Sequence, residues 1–130
     1  MPNSLSEYCF SDCFNTSFLQ NNFSQKLQFY LTLCNVFTAT VPEQLELLQE
    51  SIANKNYVDT KKILHKVKNN YYWMGLLNIN ENLVKAEEAC HNLDFDWSKA
   101  YKLHASMQRG LTDVENEKIK LNEFISKNLE

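Results

Sequence analysis

Glycine and proline are nearly missing from this sequence, at two of each in 130 residues. All-β folds turn often and need both, so a sheet-rich architecture is excluded and long helices with few connections are expected. No run of about 18 apolar residues occurs, so no segment reads as membrane-spanning. The opening Met1-Pro2-Asn3-Ser4-Leu5-Ser6-Glu7 has no charged region followed by an apolar core and does not read as a secretory signal. Positive charge is not in excess either: 13 Lys and Arg stand against 16 Asp and Glu, a net charge of -3, with no basic tail. General affinity for nucleic acid is therefore not expected. A phosphate-cradling glycine loop is also missing, so autokinase activity is not expected.

Cysteine is present four times, as Cys9, Cys13, Cys34 and Cys90. Without an export signal these read as free thiols in a reducing cytosol, with Cys34 and Cys90 in the core. The Cys9-x3-Cys13 spacing is not a strong zinc signature, and no metal is expected on the chain. A helical bundle holding metal through Cys and His is the least favoured of the readings.

What is there is helical periodicity over a length that suits one domain. Phe10, Phe14 and Phe18 fall four apart, which predicts a short amphipathic helix in residues 1–22 packing on a bundle formed by residues 23–126. Ser24 is a candidate cap for a first long helix to Ala53, lined by Leu27, Tyr30, Leu31, Cys34 and Phe37 and resumed after Pro42 by Leu45, Leu48 and Ile52. Pro42 allows either a kinked helix or two helices. Asn54-Lys55-Asn56 makes a turn, and a helix from Tyr57 to Met74 follows. Asn80 is a candidate cap for a helix from Glu81 to His91, with Leu83, Val84, Ala86 and Cys90 apolar. The segment His91-Asn92-Leu93-Asp94-Phe95 turns the chain. Asp96 caps a final helix from Trp97 to Lys127, whose stripe runs Trp97, Tyr101, His104, Met107, Leu111, Val114, Leu121 and Ile125, broken by Lys118. Gly110 lies inside that pattern at a cost of about 1 kcal/mol, which close packing or a bend would explain. The fold class is all-α: an antiparallel four-helix bundle with a short additional N-terminal helix.

One stretch stands out, Ile63 to Leu76. Val67, Tyr71 and Met74, with Ile63 and Leu64 a turn earlier, share one face. Lys61, His65, Lys68, Asn69 and Tyr72 occupy the other. Lys68 is one turn from His65, near enough to reach whatever the imidazole carries, and Lys61, Lys62 and Lys66 form a basic collar. No acid neighbours His65 along the chain, which suits a negative cargo better than a metal. His91 and His104 read as structural. An imidazole in water titrates near ~6.5, so its neutral form can act as a nucleophile at pH 7.

This stretch resembles the histidine-phosphotransfer (HPt) domain family of bacterial and eukaryotic phosphorelays. That family's motif is a phospho-accepting histidine, an apolar residue two on, a lysine three on, a glycine four on and a second glycine ten on. His65, Val67, Lys68 and Gly75 match, and Asn69 stands where the first glycine is usual. Pro42, Leu45-Glu46-Leu47-Leu48 and Asn54-Lys55-Asn56 precede the histidine at spacings similar to those of the phosphotransfer domain at the end of anaerobic-sensing hybrid kinases. The resemblance covers roughly residues 23–126.

It implies a cytoplasmic phosphorelay protein in which His65 accepts and returns a phosphoryl group and Lys68 stabilises it. Lys61, Lys62, Asn69 and Tyr72 would face the partner, and Gly75 would be structural. The implied partners are receiver domains of response regulators or hybrid histidine kinases. Any Mg2+ would sit on the receiver, and no cofactor is expected on this chain. If the sequence is complete, the protein is a freestanding relay, and if the last helix packs within its own bundle a monomer is expected. The alternative is a receiver-binding adaptor of the same fold that is not phosphorylated. Asn69 is bulkier than glycine, and Tyr72 is larger than the small residues common in the family, so both would narrow the set of receivers.

Overall fold

The computed structural model describes residues 8–91 and 94–128, and all described secondary structure is helical. Among these residues there are five helices and no strand: α1 (Thr16–Phe23), α2 (Leu27–Ala53), α3 (Tyr57–Trp73), α4 (Leu77–Ala89) and α5 (Trp97–Asn128). None is long and apolar enough to cross a membrane. The broadest contact is α2 on α5. Further contacts join α3 to α4, α2 to α3 and α4 to α5, and α1 rests on α2. Residues 1–7, Asn92, Leu93, Leu129 and Glu130 lie outside the described residues, and with them part of the expected N-terminal segment, turn and helix end.

The core is the sum of the apolar stripes. Tyr30, Cys34, Phe37, Val41, Leu45, Leu48 and Ile52 from α2 meet Leu64, Val67 and Tyr71 from α3 and Leu103, Met107, Leu111, Val114 and Leu121 from α5. Burial of this apolar area is the main favourable contribution to folding. The two buried tyrosines also satisfy their hydroxyls. Tyr30 donates to the Met74 carbonyl and Tyr71 to the Met107 carbonyl, both at 2.9 Å. Cys34 and Cys90 are buried free thiols as expected, whereas Cys9 and Cys13 are exposed.

Four local expectations are corrected. Phe10 and Phe14 are buried but not helical: they lie in the irregular lead-in to α1, which turns at residues 11–14 before the helix begins at Thr16 behind the cap Asn15. The aromatic packing is present because Glu117 of α5, itself buried, anchors this lead-in. It accepts hydrogen bonds from the Tyr8 hydroxyl at 2.8 Å and from the Ser11 hydroxyl at 2.5 Å. Ser24 ends α1 instead of starting α2, whose first helical residue is Leu27. Asn80 lies inside α4 and not at its start. Its side-chain amide donates to the Lys68 carbonyl at 2.8 Å, so it links α4 to α3. On α5, Tyr101 faces solvent and Leu103 takes the buried place, because the stripe drifts around the helix with its 3.6-residue period.

Other expectations hold. At Pro42 the two-helix alternative is the one excluded: α2 is a single helix through it, with buried Val41 and Leu45 on either side, at the loss of the one backbone bond proline cannot donate. Asp96 accepts from the Ser98 and Lys99 amides and the Ser98 hydroxyl at the head of α5. Those bonds hold its carboxyl below the usual aspartate range. Gly110 is explained by close packing: a Cβ there would meet Ile79 at 3.0 Å, Leu76 at 3.1 Å and Tyr71 at 3.2 Å.

The turns on either side of α3 share one geometry. After α2, the Lys55 amide bonds to the Ile52 carbonyl and the Asn56 amide to the Ser51 carbonyl. After α3, the Gly75 amide bonds to the Tyr72 carbonyl and the Leu76 amide to the Tyr71 carbonyl. This paired pattern closes a helix through one residue in the left-handed region. Gly75 occupies it at φ 85°, and Lys55 occupies it at φ 52°. A β-carbon is disfavoured in that region. Lys55→Gly is therefore expected to stabilise the protein by about 0.5–1 kcal/mol, net of glycine's larger unfolded-state entropy. Urea unfolding of the two proteins checks this, and a lower midpoint for the glycine variant contradicts it.

Candidate functional site

His65 lies on the outer face of α3, on the side opposite buried Leu64 and Val67, so the packing of α3 leaves the ring outside. Its side chain is 68% exposed. α3 is fixed along its length. Asn56 caps its start by accepting from the Asp59 amide at 3.0 Å, buried Thr60 hydrogen-bonds Ser51 of α2 at 2.7 Å, and the Gly75 turn closes its end. The histidine therefore stands on a rigid element.

The structure adds a residue that chain order hid. Glu87 of α4 brings one carboxylate oxygen to 2.6 Å from His65 Nδ1 and the other to 2.8 Å from Lys68 Nζ. The expectation of no acid beside His65 holds only along the chain, because α4 folds back along α3. The signal was present in the spacing Asn80, Leu83, Glu87, three and four apart on one face. Leu83 is fully buried, Asn80 bonds Lys68, and Glu87 continues that face to His65.

Glu87 is an ionised acceptor at neutral pH. Burial alone would raise its pKa, but the hydrogen bonds from Lys68 and His65 and their positive charge outweigh it and hold the carboxyl below the ordinary glutamate value. A lowered folded pKa gives stability that is present above the unfolded value and lost as pH falls through the folded one. Glu87→Gln should therefore cost stability at neutral pH, and the gap from wild type should close as pH drops below about 4. Urea midpoints across that range check this, and a gap unchanged in acid contradicts it.

The other expected site residues fall around this centre. Lys61 and Lys62 are exposed and line an open groove of about 450 Å³ with Tyr57, Val58, His65 and Glu87. Cys90 and His91 also line it, and burial pushes the Cys90 thiol up. Lys66 is exposed but opens onto a second groove with Glu50 and Asp59, and Lys62 lines both, so the collar spans two sides of α3. Asn69 is exposed one turn beyond His65. Tyr72 is at the surface, edge-on to Phe18 at 5.0 Å and to Trp73 at 5.0 Å, so Trp73 joins an aromatic patch instead of the core. His104 is structural, with Nε2 donating to the Leu45 carbonyl at 2.9 Å. Among the described residues no three His, Cys, Asp or Glu side chains are placed to hold a metal ion.

Chemically, the arrangement is a solvent-facing imidazole held through one nitrogen by a carboxylate, with an ammonium one turn along the same helix. The second nitrogen, Nε2, makes no hydrogen bond within the described residues. Comparison with protein-family models, curated proteins and solved structures finds no match to this chain.

Proposed function

We propose that this chain is a histidine phosphotransfer protein that passes a phosphoryl group between receiver-domain aspartates through His65. The single observation that carries the reading is the exposed His65 ring with Nε2 free and Lys68 beside it on one rigid helix. The Nε2 lone pair attacks the phosphorus of an aspartyl phosphate, the P–O bond breaks, and the receiver's carboxylate leaves. The return step reverses this. Lys68 offsets the phosphoryl charge through a charge-assisted contact. Mg2+ and the catalytic carboxylates belong to the receiver, and this chain needs no cofactor.

The four long helices α2 to α5, packed in sequence with α5 closing back on α2, fit the antiparallel bundle that the resemblance implies, and α1 is the additional N-terminal helix. Lys61 and Lys62 beside the apolar groove suit an acidic receiver mouth, and Asn69 and Tyr72 narrow the choice of receiver. The protein works as a cytoplasmic monomer without kinase activity of its own. The test is transfer: a phosphorylated receiver domain, with Mg2+, should lose its phosphoryl group to this chain. Binding without transfer across a broad receiver panel would favour the adaptor alternative, and neither binding nor transfer would reject both.

A further inference from the structure

We infer that the groove between α4 and α5 is a binding site for a free single-chain amphiphile with an anionic head, of the class of medium-chain fatty acids. At about 690 Å³ it is larger than either groove beside α3, and its lining is mostly apolar. His65 opens onto a different groove, between α3 and α4, so the inference stands apart from the phosphotransfer reading.

Small side chains make the gap. Ala86 and Ala89 line it from α4 and Ala100 from α5. These residues leave space between the two helices, and α4 and α5 touch less than any other neighbouring pair of the four long helices. Leu103 adds to the apolar floor, and Phe95 extends it at the head of α5. The Phe95 ring is braced edge-on by Trp97 at 4.7 Å. The α5 wall from Lys99 to Ser106 spans about 10 Å at the helical rise, which suits an alkyl chain of medium length.

The rim selects the charge. Lys85 stands on α4, and Lys99 and Lys102 stand one turn apart on α5. The nearest acid to Lys85 is Glu81, at 3.9 Å with both side chains exposed, and Lys99 and Lys102 make no ion pair among the described residues. Two carboxylates also line the groove. Asp96 is engaged by the Ser98 and Lys99 amides and the Ser98 hydroxyl, and Asp94 is exposed beside Phe95. Lysine stems lie along apolar surface while their ammonium groups reach water. An anionic head at the lysines, with its tail along Ala89 and Ala100 toward Phe95, therefore satisfies charge and apolar area together.

The test is a titration of the whole protein, followed by amide and methyl NMR. Octanoate and decanoate are expected to bind one to one and to shift Ala86, Ala89, Ala100 and Leu103. Decanoate, longer by two methylenes, should bind roughly tenfold tighter. 1-Octanol should bind more weakly than octanoate, and decylammonium not at all. Lys99→Gln combined with Lys102→Gln should weaken decanoate binding about fivefold or more and leave octanol binding unchanged. Ala89→Leu, at an exposed position, should fill the groove and remove binding of both without lowering the urea midpoint.

Absence of saturable binding, equal binding of decylammonium, or shifts confined to other parts of the molecule would overturn the inference. So would a response to anionic phospholipid vesicles but not to monomeric decanoate, which would make the groove a membrane-facing surface. A response to an acidic amphipathic peptide helix alone would overturn it too, by making the groove a protein-docking one.

Discussion

Replacing His65 by glutamine is expected to abolish phosphoryl acceptance and to leave the fold in place. Glutamine has no nitrogen lone pair able to attack phosphorus, because its amide nitrogen is conjugated with the carbonyl. The loss should exceed about a thousandfold and reach the detection limit, as for removal of a covalent nucleophile. Stability should change by no more than about 1 kcal/mol, because the His65 side chain is 68% exposed and exposed ion pairs contribute little. Transfer rate and urea midpoint, measured on one preparation, separate the two effects. Retained labelling in His65→Gln would place the acceptor elsewhere. A large loss of stability would mean that the His65–Glu87 contact is structural in a way its exposure does not suggest.

The second large effect is on stability and comes from Gly75. Alanine there must adopt φ near 85°, and its Cβ would lie 2.8 Å from Leu19 side-chain atoms in the fully buried contact between α1 and the end of α3. The left-handed backbone costs about 1–2 kcal/mol and the overpacking about 1–3, so Gly75→Ala should lose about 2–5 kcal/mol. The same turn holds the lead-in to α1, since the Asn15 amide donates to the Gly75 carbonyl at 2.8 Å. Urea unfolding measures the loss, and a double-mutant cycle with Leu19→Ala locates it. The alanine at 75 should cost less when Leu19 is already cut back. A loss below about 1 kcal/mol would mean that the turn relaxes without strain.

Gly75 shows what kind of information the sequence carries well. A rare glycine at the end of an amphipathic run has one ready explanation, and the turn geometry agrees with it. The stripes of α2 and α3 and the cap at Asp96 are legible for the same reason, since each depends on neighbours within one helical turn. Asn80 misled because asparagine serves both as a cap and as a cross-helix donor, and only the placement of α3 decides between them. The aromatic trio at 10, 14 and 18 misled because burial of Phe10 and Phe14 comes from a non-helical segment tied to Glu117, 106 residues from Ser11, and not from local periodicity. Glu87 was the costliest omission at the site. An acid on a helix reads as solvated surface until the partner helix brings a histidine and a lysine against it.

The central claim is that Nε2 of His65 carries the phosphoryl group. The most direct measurement is phosphorus–nitrogen correlation NMR on ring-labelled protein after transfer from a phosphorylated receiver. The account predicts one N–P bond, to His65 Nε2, stable in base and lost in acid. Phosphate bound to oxygen, or to another residue, or to Nδ1 of His65 would contradict it.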